Sequence, residues 1–217
     1  MIALLLRRCW IWAVALCAMA AACGPAALAQ EGVTYRTLPN APPTERGKVH
    51  VVEFFWYGCP HCYELEPKLA AWRKAHNDQI LFERMPAAFG GVWALHGRAY
   101  YTAVALGASE SFHQALFQAI HQQGKRLDNE SLLRDFFISQ GFKKESFDST
   151  FRSFGVNVKL QEATQTAQRL GIDGVPAFFV GERFITSPSM VGNEERFFQV
   201  MDDLVQRSQR QHPEKSP

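Results

Sequence analysis

One stretch decides the fold, residues 51–62, which read Val51-Val52-Glu53-Phe54-Phe55-Trp56-Tyr57-Gly58-Cys59-Pro60-His61-Cys62. Its apolar first half predicts a buried strand, and the glycine ends that strand just before two cysteines at the start of a helix. A helix N-terminus has unpaired N–H groups and the positive end of the helix dipole, so it favours a thiolate over a thiol. Pro60 suits the first helical position, and Cys62 lies one turn further on, within disulfide reach of Cys59. The stretch therefore predicts a redox site in which Cys59 is the low-pKa nucleophile and Cys62 resolves the mixed disulfide.

The first 29 residues have the composition of a secretory signal peptide. Arg7 and Arg8 precede an apolar run, and Ala27-Leu28-Ala29 matches the small-x-small pattern of a cleavage site. The apolar run, at roughly 15 residues, is too short for a convincing membrane span, although an uncleaved anchor is the alternative. A lipoprotein signal at Cys23 is a further alternative, but it lacks the leucine that usually precedes such a cysteine. We predict a cleaved signal peptide and therefore an exported protein.

Removal of the signal peptide changes the charge and cysteine counts. The 23 lysines and arginines fall to 21 against 21 acidic residues, so the formal net charge drops from +2 to zero. That balance gives no support to a nucleic-acid partner or to a polybasic membrane-binding surface. Cys9, Cys17 and Cys23 are lost as well, which leaves only Cys59 and Cys62. An exported protein meets an oxidising environment, and without a separate disulfide framework this pair is a candidate for chemistry.

Two other interpretations of the cysteine pair remain open from the residues alone, half of a zinc site and an inert structural disulfide. A closed zinc site needs four ligands. The mature chain has no second cysteine pair, and its histidines His50, His76 and His96 do not form a complementary spacing. We favour the redox interpretation. It requires neither a metal nor an organic cofactor, since the cysteine pair carries the electrons.

Hydrophobic periodicity divides the mature chain into an α/β part and a helical part. The predicted elements are strands at 33–38, 49–55 and 80–85, a helix at 63–76, several glycine-punctuated helices from 92 to 170, strands at 177–180 and 183–186 joined by a tight turn at Gly181-Glu182, and a last helix at 194–206. The helical block is too long for a loop, so we interpret it as a subdomain inserted in an α/β fold. The predicted boundaries are 30–91 and 171–207 for the two parts of the α/β domain, 92–170 for the insertion and 208–217 for a disordered tail.

Two side chains of the stretch are candidates for tuning the cysteines. His61 lies between them, and its imidazolium can stabilise the Cys59 thiolate and so make the disulfide a stronger oxidant; the alternative is a plain helix-surface residue. Glu53 lies in an otherwise apolar strand, where desolvation raises the pKa of a carboxyl. It is therefore a candidate for relaying a proton to or from Cys62, and the alternative is a glutamate at a strand end that reaches water.

This order of elements and motifs resembles the thioredoxin superfamily, and specifically the DsbA family of exported thiol oxidases, over residues 33–207. The motifs that carry the resemblance are Phe54-Phe55 ahead of Cys59-Pro60-His61-Cys62, Glu53 six residues before the first cysteine, and Gly174-Val175-Pro176 before the hairpin. The Pro-His dipeptide marks this family, whereas thioredoxins typically carry Gly-Pro. The resemblance implies a thioredoxin-like fold with an inserted all-helical subdomain. Gly58 departs from the pattern, because many members have a bulkier residue there, and we expect a wider surface beside the sulfur.

The resemblance also implies where a substrate binds. In the superfamily the proline that matches Pro176 follows a cis peptide bond and lies against the disulfide, and the residue that matches Val175 offers backbone hydrogen bonds to an extended substrate. The alternative is a proline at the start of an edge strand. In the family the acid that matches Glu53 lies beneath the cysteines.

The function implied is that of a periplasmic thiol:disulfide oxidase, which donates the Cys59–Cys62 disulfide to newly exported proteins with free thiols through a mixed disulfide at Cys59. The resemblance also implies reoxidation by a quinone-linked membrane protein of the DsbB type. Nothing in the sequence indicates an oligomer, so we expect a monomer. Two alternatives remain. One is a disulfide isomerase or reductant of exported proteins, and the other is a redox-silent chaperone that binds extended chains.

Overall fold

The computed structural model describes residues 29–39 and 47–210. The predicted signal peptide, apart from Ala29, and residues 211–217 lie outside the described residues. The elements in chain order are β1 (Tyr35–Thr37), β2 (Val49–Phe55), α1 (Pro60–Ala75), β3 (Ile80–Pro86), α2 (Gly91–Ala105), α3 (Ser109–His121), α4 (Glu130–Ser139), α5 (Lys144–Phe151), α6 (Phe154–Arg169), β4 (Ala177–Val180), β5 (Phe184–Thr186), α7 (Pro188–Val191) and α8 (Glu194–Arg210). Within these ranges no helix has the length and apolar character needed to span a membrane.

The strands form one mixed sheet in the order β1-β5-β4-β2-β3. The stretch that ends at the cysteines, β2, lies inside this sheet, parallel to β3 on one side and antiparallel to β4 on the other. Its position explains the nearly continuous apolar run, because a strand paired on both edges and covered on both faces exposes almost nothing. The hairpin between β4 and β5 turns through Gly181 and Glu182, whose φ angles of 58° and 57° are those of a type I′ turn.

Alternate side chains of β2 enter two different cores. Val49 and Val51 pack with α1 and α8 on one face, and Val52 and Phe54 pack with α6 on the other. Glu53 falls on the same face as Val51 by the two-residue period of a strand, and therefore points towards α1. The fold thus directs the one acid of the strand beneath the helix that carries the cysteines.

The helical insertion, α2 to α6, lies between β3 and β4 and has a phenylalanine-rich core. Phe112, Phe117, Phe136 and Phe137, which helical spacing predicts as core residues, are all buried. The same cluster includes Phe55, Tyr57 and both cysteines. The end of β2 and the start of α1 therefore lie where the α/β domain and the insertion meet.

The prediction that a tail begins at residue 208 is wrong, because α8 continues to Arg210. The guanidinium of Arg207 pairs with Asp203 and donates to the carbonyl of Ala29 at 3.1 Å. Ser208 is buried, and its hydroxyl donates to the carbonyl of Leu204 at 2.9 Å. These contacts stabilise an extra turn of helix that the polar sequence does not predict.

Candidate active site

Cys59 lies at the N-cap of α1, with Pro60 in the first turn of the helix. A tight turn places it there, since the backbone N–H of Cys59 donates to the carbonyl of Trp56 at 3.0 Å. Its sulfur accepts the backbone N–H of Cys62 at 3.4 Å, in the manner of an N-cap side chain. This is the position that the sequence predicts, with the sulfur at the positive end of the helix dipole.

The two thiols are unbonded in this structure and have opposite environments. Cys59 keeps 7% of its surface exposed, whereas Cys62 is fully buried. A hydrogen bond from the Cys62 thiol, with further donation from the backbone N–H groups of Cys62 and His61, lowers the pKa of Cys59 to about 6 despite its partial burial. Burial raises the pKa of Cys62, and its hydrogen bond to the Cys59 thiolate and the charge of that thiolate raise it further. At neutral pH the pair therefore holds one thiolate, at Cys59, and one thiol, at Cys62.

The His61 side chain is exposed, and it acts on Cys59 mainly through its backbone. Its Nδ1 lies 3.5 Å from a carboxylate oxygen of Glu64, and both side chains are well exposed to solvent. The His61 charge contributes to the lowered pKa of Cys59, but behind the hydrogen bonds from Cys62 and from the His61 N–H. The histidine ring is thus a smaller influence on the sulfur than the sequence interpretation gives it.

Glu53 is fully buried, which excludes the alternative of a glutamate that reaches water. Its Oε2 accepts a hydrogen bond from Nε of Arg84 at 3.1 Å, whereas its Oε1 has no partner in the described part of the chain. Burial, followed by repulsion from Glu66, raises the pKa of this carboxyl to about 8 even though Arg84 opposes the shift. Glu53 therefore holds a proton at neutral pH, and it is linked to α1 through Arg84, which also pairs with Glu66 of that helix.

Besides being buried, Glu53 belongs to a charge cluster that sequence reasoning missed, and Glu66 of that cluster adds to the raised pKa. Arg84 on β3 is buried and donates to three carboxylates, those of Glu53, Glu66 and Glu110, at 3.1, 2.8 and 2.8 Å. One buried guanidinium cannot neutralise three carboxylates, and the deepest of them is the most costly to ionise. The signal in the sequence was an arginine at an inward-facing position of a strand.

His113 on α3 extends this cluster to the active-site turn. It is fully buried, with Nε2 at 3.1 Å from Glu66 and Nδ1 at 3.0 Å from the hydroxyl of Tyr57. Burial lowers the pKa of His113, so its neutral form donates from Nε2 to Glu66 and accepts the Tyr57 hydroxyl at Nδ1. A second histidine of α3, His121, contacts the Tyr57 carbonyl at 2.8 Å. Two histidines of the insertion thus fix Tyr57, two residues before the nucleophile, one through its hydroxyl and the other through its carbonyl.

Val175 and Pro176 lie beside Cys59, as the resemblance implies. Their peptide bond is cis, and the carbonyl of Val175 is 3.5 Å from the Cys59 sulfur. Both residues line an open groove of about 340 Å³ that also includes His61, Pro188 and Asn193. The structure therefore brings the two predicted substrate-binding residues to the nucleophile and to an adjoining groove.

Gly58 does not widen the surface beside the sulfur, contrary to expectation. A Cβ at this position would lie 2.3 Å from Cζ2 of Trp56, so the Trp56 indole fills the space that a larger side chain would take. The φ of Gly58 is not in the left-handed region. The glycine is needed for room and not for backbone conformation.

Comparisons with known proteins place this chain in a family. A family model described as a DSBA-like thioredoxin domain matches residues 84–204. The thiol:disulfide interchange protein DsbA of Azotobacter vinelandii is 37% identical over 177 residues, which cover 81% of this chain and 83% of the relative. The DsbA of Bordetella pertussis is 37% identical over 188 residues, which cover 86% and 90%. The chain belongs to the DsbA family.

Solved DsbA structures agree with the fold. The crystal structure of Pseudomonas aeruginosa DsbA has a TM-score of 0.78 at 33% identity and covers 84% of this chain and 95% of that one. The DsbA of Xylella fastidiosa has a TM-score of 0.77 at 32% identity and covers 84% and 99%. The expected thioredoxin-like fold with a helical insertion is confirmed, and the chain is a thiol:disulfide oxidoreductase of the DsbA family.

Proposed function

We propose that the chain works as an oxidase, donating a Cys59–Cys62 disulfide to newly exported proteins with free thiols. The observation that carries this proposal is the asymmetry of the pair, in which the N-cap position and its hydrogen bonds stabilise a Cys59 thiolate while burial keeps Cys62 protonated. A thiolate that is stable in the reduced protein favours the acceptance of two electrons, so the disulfide is a strong oxidant.

The proposed reaction has two exchange steps. A substrate thiolate attacks the Cys59 sulfur, the Cys59–Cys62 bond breaks, and the Cys62 sulfur leaves with the electron pair of that bond. A second substrate thiolate then attacks the substrate sulfur of the mixed disulfide and expels Cys59 as a thiolate. The substrate gains a disulfide, and the cysteine pair gains two electrons. The low pKa of Cys59 makes it the better leaving group in the second step.

Glu53 supplies the proton that the first step requires. The Cys62 sulfur leaves as a thiolate in a buried place where the charged form is unfavourable. Glu53 has a carboxyl pKa raised to about 8 and an oxygen without a partner among the described residues. It is therefore protonated at neutral pH, and proton transfer to Cys62 leaves its own charge paired with Arg84.

The groove beside Cys59 is proposed to take an extended substrate segment. Backbone groups of Val175 pair with the substrate main chain, since the Val175 carbonyl lies 3.5 Å from the Cys59 sulfur. Apolar and small polar residues line the groove together with His61 and two acids, Glu64 and Glu194. Recognition through the substrate main chain at such a mixed lining suits a site that accepts many sequences.

The location and the partners extend the proposal to the cell. The N-terminal pattern of residues 1–29 supports export to the periplasm with cleavage of the signal peptide. Reoxidation then falls to a quinone-linked membrane protein of the DsbB type, which is the partner expected for this family. The protein acts as a monomer, with no cofactor beyond the cysteine pair, and takes no nucleic acid.

The test is oxidation of a reduced, unfolded protein by the purified disulfide form. We expect stoichiometric disulfide formation by the wild type and none by Cys59→Ser. Cys62→Ser cannot form the disulfide. Its Cys59 thiolate, mixed with the oxidised substrate, should attack the substrate disulfide and accumulate a mixed disulfide, detectable by its mass. A wild type that reduces or reshuffles substrate disulfides but does not create them would favour the isomerase or reductant alternative. Substrate refolding that is unchanged in the double Cys59→Ser, Cys62→Ser variant would favour the chaperone alternative.

A further inference from the structure

The residue that begins the active-site turn, Trp56, is held in an unusual way. Its carbonyl accepts the N–H of Cys59 at 3.0 Å, so it sets the turn that delivers the nucleophile to the helix N-terminus. Its indole folds back over the same turn and covers Gly58, where a Cβ would lie 2.3, 2.5 and 2.7 Å from three ring atoms. The backbone of Trp56 thus closes the turn at Cys59, and its side chain packs against Gly58 within the same turn.

The other support of the indole comes from the helical insertion. Trp93, in the first turn of α2, stacks on Trp56 with ring centroids 4.0 Å apart and an interplanar angle of 11°. Phe89 packs against Trp93 with centroids 5.2 Å apart. His96, one turn further along α2, lies against Trp56 at 6.1 Å and is fixed by a hydrogen bond to the Leu127 carbonyl. The stack therefore joins the active-site turn to a helix of the insertion, α2.

We propose that Trp56, seated between Gly58 and Trp93, is a positioning residue that holds the turn so that the Cys59 sulfur stays at the N-cap of α1. The inference rests on the proposed role of Cys59. It also explains Gly58, the residue that departs from the family pattern, because a glycine leaves room for the Trp56 indole. It also assigns a task to the insertion, because Trp93 belongs to it.

The physical consequence is on the thiolate. The hydrogen bond from the Cys62 N–H to the Cys59 sulfur, 3.4 Å long, forms only while the turn holds the sulfur at the N-cap, so movements of the turn weaken it. Without the stack of Trp56 on Trp93, which we call the clamp, the turn samples geometries in which the Cys59 sulfur moves away from the helix end. The thiolate then loses part of its stabilisation. Loss of the clamp should therefore raise the pKa of Cys59 and make the disulfide less oxidising.

The experiment compares Trp93→Ala and Trp93→Phe with the wild type. Each protein is equilibrated with glutathione buffers, and the Cys59 thiolate is titrated by its ultraviolet absorbance. Because aromatic pairs contribute about 0.5–1.5 kcal/mol, Trp93→Ala should shift the glutathione equilibrium towards the oxidised protein by between about two- and tenfold. Trp93→Phe, which keeps a stacking ring, should stay near the wild type. Near-ultraviolet circular dichroism reports whether the tryptophan pair is lost.

Controls separate the clamp from general packing and from the function itself. Phe154→Ala removes an aromatic ring that is 82% exposed at the start of α6 and should leave both readouts unchanged. A Trp93→Ala variant that unfolds at lower temperature but keeps the wild-type equilibrium and thiolate titration would overturn the clamp and leave a structural role. A wild type that fails to exchange with glutathione would overturn the proposed function instead. Gly58→Ala, if folded, should reproduce the effect of Trp93→Ala, since it expels the same ring.

Discussion

At the scale of single residues, the chemistry depends on the contrast between two sulfurs three positions apart. Cys59 takes hydrogen bonds from Cys62 and from the first backbone N–H groups of α1, whereas Cys62 has no exposed surface. The pKa of one thiol falls and that of the other rises, so the pair behaves as one nucleophile and one buried thiol. The same contrast sets which sulfur leaves in each step of the proposed exchange.

The reactivity of Cys59 should follow its own titration. Alkylation of the reduced protein by iodoacetamide is expected to rise with pH around a midpoint of about 6, because only the thiolate reacts. Quench-flow labelling with mass spectrometry measures the rate and identifies the modified residue. A midpoint near the ordinary cysteine value of about 8.5 would contradict a stabilised thiolate.

Glu53 should leave a signature in the pH dependence of stability. Its pKa is about 8 in the folded protein and near the ordinary value of about 4.3 in the unfolded chain, so the folded state holds an extra proton between these values. The free energy of unfolding of the oxidised protein should therefore fall as pH rises through this window, and Glu53→Gln should remove that slope. Denaturant unfolding of both proteins across the window measures it. Parallel curves would show that Glu53 does not carry the proton.

Residue types and spacing predicted the cysteine pair, its helix position and the burial of Glu53, because each depends on local chain geometry. They did not predict Arg84, His113 or the fit of Trp56 over Gly58. Those features depend on contacts between side chains of separate elements, and the sequence alone does not show which side chains come into contact.

At the scale of elements, the site depends on one guanidinium that joins four of them. Arg84 on β3 contacts Glu53 on β2, Glu66 on α1 and Glu110 on α3. Apolar runs predict the strands closely, since β2 and β4 have the bounds that their continuous runs indicate. The end of α8 was not predicted, because Ser208 is polar in the sequence but buried in the fold.

Replacement of Arg84 should destabilise the protein strongly. Arg84→Met removes the countercharge of the nearly buried Glu66 carboxylate and the hydrogen bond to the protonated Glu53, and breaking a buried pair in this way costs about 3–5 kcal/mol. The matched control is Arg134→Met on α4, which breaks partly exposed pairs with Glu130 and Asp148 and should cost about 1 kcal/mol or less. Denaturant unfolding of each variant gives the comparison. Equal losses in the free energy of unfolding for the two variants would contradict the claim that the buried cluster stabilises the fold strongly.

At the scale of the whole molecule, redox state and stability are linked. The Cys59 thiolate stabilises the reduced fold, fully above the unfolded pKa of about 8.5 and progressively less as pH falls through about 6. The disulfide closes only a very short loop, so it returns little stability through chain entropy. The reduced protein should therefore unfold at a higher temperature than the oxidised one near neutral pH.

Calorimetry of both forms at several pH values tests this linkage. The difference in melting temperature should shrink as pH falls towards about 5, because the thiolate is then protonated in both folded and unfolded chains. An oxidised form that melts higher than the reduced form at neutral pH would mean that the disulfide is a brace and not a donor.

The most direct test of the central claim is the redox equilibrium of the purified protein, residues 30–217, with glutathione. A stabilised Cys59 thiolate predicts an equilibrium far on the oxidising side of the glutathione couple, with the protein reduced even where oxidised glutathione is in excess. An equilibrium in which the protein keeps its disulfide against excess reduced glutathione would contradict the account and turn the assignment to a reductant.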